Sequence, residues 1–275
     1  MTLVRRYGLT VAALIGAGFV FVVPFLFIVL TAVKDRTQAA QLDFTWPTSF
    51  PLWENFWTVI STRDFMLITA YINSTILTVG SITLLVILAA MVGYVRQRRK
   101  AWWNGLVDFL VLAGLMMPPA VVPTIWLLQQ LGLFATLHGM IFIEVAYNIS
   151  FCIILYRAFV ATIPREMDEA AIIDGARPMD IFFRVILPML KPVTITVIVV
   201  QSVAIFNDFV NPLYYLPGND NVTVQLTLYN FQSQFNTSYN LLFMNILLVT
   251  IPPLIVFLFF NRQIVAGMTS GAVKG

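Results

Sequence analysis

The chain has 275 residues, a formal net charge of +3, 59% apolar and only 11% charged side chains, and a mean hydropathy of +0.86. A soluble domain of this size carries about 25% charged residues on its surface, so the composition excludes a water-soluble enzyme or binding module and points to lipid as the solvent. The lone Cys152 allows no intrachain disulfide and the lone His138 builds no metal site by itself.

In chain order, Arg5 and Arg6 precede an apolar run over about 8–33. A secretory h-region is about 7–15 residues and a full span about 20, so this run reads as an uncleaved first membrane helix. An external loop over 34–68 follows, with Trp46, Trp53 and Trp57 suited to the headgroup layer or to a ligand. Further apolar runs occupy about 69–95, 105–131, 138–160, 192–216 and 240–261. Each is long enough for the hydrocarbon core at about 1.5 Å per residue. The runs are continuous rather than alternating, which favours helices over a transmembrane barrel. Pro24, Pro118, Pro119, Pro123, Pro252 and Pro253 predict kinks. The loop over 217–239 is polar, and its Tyr229, Phe231, Phe235 and Tyr239 fit either a plain connector or contact with a partner protein.

Six crossings with both termini in the cytoplasm put 13 of the 16 basic residues inside, leaving Lys34, Arg36 and Arg63 outside. That is the positive-inside distribution. The expected fold is an all-α integral membrane bundle of six helices, one transmembrane domain over 1–275.

The largest internal loop, 163–190, reads as two short helices. Pro164 suits a first helical position, and Glu166, Asp168 and Glu169 lie at the positive end of the helix dipole. Gly175 supplies a stop in left-handed backbone. Pro178 then opens a second helix, which Pro188 closes, and the small pair Ala170–Ala171 leaves room for a close neighbour. A helical knob of this kind suits docking into a protein cleft or lying on the membrane surface.

Glu169-Ala170-Ala171, three residues, Gly175, nine residues, Val185 and then Leu187-Pro188 resembles the signature loop Glu-Ala-Ala-x₃-Gly-x₉-Ile-x-Leu-Pro of binding-protein-dependent ABC importer permeases. Asp174 and Ala176 match its Asp-Gly-Ala core, and Val185 replaces Ile. Asn73-Ser74, Ile163-Pro164, Asn207-Asp208-Phe209 with Pro212-Leu213, and the tail from Gly267 to Gly275 are similar to the carbohydrate-import, MalG-type branch. Phe206 stands where Trp is commoner, and Val210-Asn211 replaces Leu-Trp.

The resemblance implies a type I importer permease. A second permease, generally a different chain, would pair with it. Two cytoplasmic ATPase subunits holding ATP and Mg would grip the loop through Glu169, Ala170, Ala171, Asp174, Gly175, Leu187 and Pro188. An extracytoplasmic solute-binding protein would deliver a disaccharide or oligosaccharide, and the chain would lie in a bacterial or archaeal cytoplasmic membrane. The spans would then rock between inward-facing and outward-facing forms. The chain carries no Gly-x₄-Gly-Lys-Ser/Thr loop, so it is expected to bind no cofactor and to be no enzyme. Non-sugar solutes, such as a polyamine or glycerol phosphate, are the alternative cargo.

Ionisable groups inside a span usually face the bundle interior or a wet path. Asp108 lies near the inner start of the third run. Glu144, with Tyr147 and Asn148 on its face, lies in the outer part of the fourth. Gln201, Asp208 and Asn211 share a stripe of the fifth, with Asn207 beside it. Glu144, Asn148, Gln201, Asn207, Asp208 and Asn211 are candidates for the solute pathway, and tying helices together is the other role such groups play.

Overall fold

The computed structural model describes residues 3–232 and 237–272, and over these it is helix and turn without a strand. Phe235 and 273–275, which include Lys274 and the end of the tail, lie outside the described residues.

The apolar run at the start forms α1, Leu3–Ala32, with Pro24 inside it. Asp35 caps the one-turn α2, Arg36–Ala39, by accepting from the Gln38 amide at 2.9 Å. Helix α3 covers Leu52–Arg98 but leaves helical geometry at Thr62–Phe65, where Arg63, Asp64 and Phe65 have φ of 51°, 53° and 60°. The external segment expected over 34–68 is thus partly helical, from Leu52 on, and helical geometry is interrupted just before the second apolar run.

The run 105–131 is broken rather than kinked, into α4, Asn104–Met116, and α5, Val121–Gln130, at 116° to each other. Pro118 and Pro119 explain this: neither donates a backbone hydrogen bond, and Pro118 forces Met117 into extended geometry with ψ 126°. Helix α6, Leu137–Val160, starts at Thr136, whose hydroxyl accepts from the Gly139 amide at 3.0 Å.

Helix α7 covers Glu166–Ile173. The second loop helix begins as expected with α8, Pro178–Asp180, widens into a π-helix at Ile181–Ile186, and ends as α9, Leu187–Met189. Pro188 lacks an N–H and its ring presses on the carbonyl four residues back, which accounts for the widened turn. The helix therefore runs past Pro188 to a 75° bend before α10, Lys191–Phe206. The fifth run stops at Phe206 and resumes as α11, Val210–Tyr215. A 3₁₀-helix at Val224–Phe231 leads towards α12, Tyr239–Ala272.

Among the described residues four helices are long and apolar enough to cross a membrane: Thr10–Ala32, Leu52–Arg98, Leu137–Val160 and Tyr239–Phe260. The bent pairs α4–α5 and α8–α10 raise the number to six if each is one span. This is a multi-pass membrane architecture.

The chain divides into two compact units, one of Met1–Ala70 with Val224–Pro252 and the other of Tyr71–Thr223 with Pro253–Gly275. In the first, the Asn55 amide donates to the carbonyls of Ala32 and Lys34 at 2.9 and 3.0 Å, and Asn240 donates to Asn55 at 2.9 Å. Phe27 meets Phe243 edge-on at 5.5 Å. In the second, α4, α10 and α11 pack on α6. A continuous apolar core runs from Leu77 and Leu85 through Cys152, Tyr156 and Val160 to Ile186, Leu190 and Val197.

Candidate functional site

Two clusters in the second unit carry the polar chemistry. The first is built around α7. Its C-terminus closes with Gly175 at φ 78°, the Gly175 amide donating to Ile172 and the Ala176 amide to Ala171, both at 3.0 Å. That pairing is the Schellman stop, in which glycine meets the left-handed position without a Cβ penalty. Of the α7 residues only Ala171 is buried. Glu169, Ala170, Asp174 and Gly175 are exposed, as are Ile172 at 62% and Ile173 at 84%. Leu187 is half-buried and Pro188 exposed, in the widened helix behind. Of the residues expected to couple to an ATPase, Glu169, Ala170, Asp174 and Gly175 thus lie on an exposed knob whose apolar tip is Ile172 and Ile173, while Ala171 is turned inward.

The knob is held through Asp168 by two residues the sequence reading did not single out, Arg98 and Tyr94. The Arg98 guanidinium, at the end of α3, lies 2.9 Å from the Asp168 carboxylate and donates to the carbonyl of Ile163 at 2.9 Å. Tyr94, one turn earlier, donates to the other Asp168 oxygen at 2.5 Å. Beside this contact lies a cleft of about 520 Å³, with Met91, Val95, Ile181 and Phe182 on its apolar side and Arg99 and Arg165 among its charged groups. Nearby in sequence, Asp108 on α4 pairs with Arg96 and with Arg157, the latter at 2.9 Å, so it ties α3, α4 and α6 together.

The second cluster sits where α10 gives way to α11. Asp208 accepts from the amides of Val210 at 2.9 Å and Asn211 at 3.3 Å, and from the Asn211 side chain at 2.7 Å. It is the side chain that restarts the helix. The Glu144 carboxyl on α6 faces Asp208 and Asn211 and accepts from Asn148 at 3.3 Å. Glu144 is buried, and its other oxygen has no hydrogen-bond partner among the described residues. Of the six pathway candidates, Glu144, Asn148, Asp208 and Asn211 come together. Gln201 is buried elsewhere and donates to Cys152 at 3.6 Å, and Asn207 is exposed, its amide folded back onto the Val203 carbonyl at 2.9 Å. Tyr147 joins Tyr215 through their hydroxyls at 2.9 Å.

Residues 85–270 match the family described as binding-protein-dependent transport system inner membrane component. Among curated relatives, the melibiose/raffinose/stachyose import permease protein MelC of Bacillus subtilis is 30% identical, over 92% of this chain and 91% of its own length. The multiple sugar-binding transport system permease protein MsmG of Streptococcus mutans is 31% identical, over 94% and 93%. Among solved structures, a chain of a bacterial ABC transporter involved in the import of the acidic polysaccharide alginate aligns with TM-score 0.81 at 19% identity, covering 94% of this chain and 96% of that one.

Proposed function

The chain belongs to the family of binding-protein-dependent transport system inner membrane components, and from that premise we propose how its geometry serves sugar import. It is the permease subunit of an ATP-binding-cassette importer for sugars, a membrane transport subunit whose cycle is powered by other polypeptides. The observation that carries this reading is the family match, which runs through both clusters, together with relatives whose names are those of sugar permeases.

In the finer reading, the chain crosses a bacterial or archaeal cytoplasmic membrane six times, with both termini inside. The exposed tip of α7, with Glu169, Ala170, Asp174 and Gly175, seats in a cleft of an ATPase subunit, and the inward-turned Ala171 and the segment of Leu187 and Pro188 back it. Two such ATPases carry ATP and Mg, and a second permease completes the pathway. An external binding protein supplies a disaccharide or oligosaccharide. Glu144, Asn148, Asp208 and Asn211 offer hydroxyl-binding acceptors and donors beside the helix break, and the apolar surroundings of α6 replace water around the sugar ring faces. Alternating access then needs only rigid movement of the spans when the ATPases close.

The test is uptake into proteoliposomes holding this chain with its partner permease, ATPases and binding protein. Labelled neutral di- and oligosaccharides are expected to accumulate only with ATP on the ATPase side. Accumulation of a polyamine or glycerol phosphate with no sugar would overturn the sugar assignment.

A further inference from the structure

Helix α7 is poorly anchored by apolar burial. One of its eight residues, Ala171, is buried, and in the turn at Gly175 only Ala176 packs against the same core. That packing seats α7 on the π-helix of its own loop, and a lever tied only within its loop would swivel under load rather than transmit it. What joins it to α3 is a polar contact. Of the three acids in its first turn, Glu166 and Glu169 face solvent, whereas the Asp168 side chain is 13% exposed and meets an Arg98 side chain that is 11% exposed.

Arg98 does two things at once. It ion-pairs with Asp168 at 2.9 Å, and it donates to the Ile163 carbonyl at 2.9 Å, just before α7 begins. It thereby grips both the entry to the helix and its first turn. Tyr94 holds the second Asp168 oxygen, and its ring lies 5.8 Å from that of Phe182 in the π-helix. The contact therefore joins α3, α7 and the far side of the loop. A charge pair this little exposed resists separation, because parting it strands two desolvated charges.

We propose that Arg98 and Asp168, seconded by Tyr94, are positioning residues that clamp α7 to the cytoplasmic end of α3, so that movement of the knob is delivered to the span instead of lost in a swivel. This rests on the reading that α7 docks an ATPase subunit. With the clamp broken, the ATPases still engage the exposed tip and hydrolyse ATP, but less of each stroke reaches the bundle. The clamp is thus a determinant of coupling rather than of binding or chemistry.

The test uses the full reconstituted complex, with ATP hydrolysis and sugar uptake measured on the same proteoliposomes. Asp168→Asn and Arg98→Gln are each expected to raise the ATP consumed per sugar by about fivefold or more, the lower end of typical coupling effects. The reversed pair, Asp168→Arg with Arg98→Asp, is expected to bring the ratio back towards wild type. Tyr94→Phe removes a single hydroxyl and is expected to raise the ratio less, so it carries the test if the charge variants fail to assemble. A fall in hydrolysis and uptake in proportion, at an unchanged ratio, overturns the clamp. So does a reversed pair as uncoupled as either single variant. Failure of the wild-type chain to retain the ATPases on purification overturns the underlying reading instead.

Discussion

Lys34, two residues past the end of α1, has no exposed surface, its ammonium donating at 2.8 Å both to the Asp43 carboxylate and to the Asp43 backbone carbonyl. Around it the segment 34–49 is a small polar fold pinned by Asp35, Gln38 and Asp43. Hydrogen bonds from Thr37, the Gln38 amide and Ser49 hold Asp35 at a pKa of about 2, and Lys34 with Thr45 holds Asp43 at about 2. Both lie below the roughly 3.9 of a free aspartate, so the folded segment binds fewer protons than the unfolded one. Its stabilising contribution is complete above about pH 4 and is lost as the pH falls towards 2. The melting temperature in lipid nanodiscs is expected to drop over that window, and the double variant Asp35→Asn, Asp43→Asn, less stable at pH 5, to drop less. An identical fall in both would remove these carboxylates from the account. Gly175 makes a second residue-scale prediction. A Cβ there meets nothing within 4 Å, so only the left-handed φ resists substitution. Gly175→Val is expected to cost about 1–2 kcal/mol, read as faster hydrogen exchange at Asp174–Ala176, and Gly175→Asn clearly less, because asparagine tolerates that conformation.

At the scale of elements, close approach of helices decides what the bundle tolerates. A Cβ on Gly93 of α3 would lie 2.9 Å from the Tyr156 Cβ and 3.0 Å from the Arg157 backbone nitrogen, so α3 and α6 touch almost backbone to backbone. Gly93→Val is expected to destabilise by about 1–3 kcal/mol, the usual range for overpacking, seen as a lower melting temperature. Gly16→Ala in α1 meets nothing and is expected to be tolerated, with at most a slight gain from the better helix former. These elements also show where sequence reasoning stops. Uninterrupted apolar runs announce the long helices, and Gly175 announces the end of α7, because one residue type suits the backbone there. Pro118–Pro119 announces two missing donors but not the 116° turn they permit, since the angle is set by what α4 and α5 pack against. Asp208 reads as a buried polar group within a span, whereas it restarts the helix at α11. An aspartate that accepts from the amides just after it is a turn device of short polar side chains, but a continuous apolar run conceals it in the sequence. Asp168 is one of three acids in the same turn, and no periodicity separates the one that faces Arg98 from the two that face water.

For the whole molecule the open choice is between four crossings and six, and it has a chemical consequence that either bent pair alone does not reveal. If α4–α5 and α8–α10 each dip into the membrane and return, α6 carries the chain outward and leaves 163–190 on the external side. That places Arg165, Arg177, Arg184 and Lys191 outside, against the bias that keeps basic residues of short loops in the cytoplasm. If each pair crosses, those residues stay inside, and 217–239, which carries no Lys or Arg, is the external loop. The six-crossing arrangement is therefore the expected one. In a Cys152→Ser background, single cysteines at Lys100, Asp174 and Asn219 separate the two. A membrane-impermeant maleimide applied to intact cells is expected to label Asn219→Cys alone, and all three after lysis. Labelling of Asp174→Cys from outside would establish the four-crossing form. It would also put α7 beyond the reach of any cytoplasmic ATPase, so the topology and the coupling reading stand or fall on the same residue.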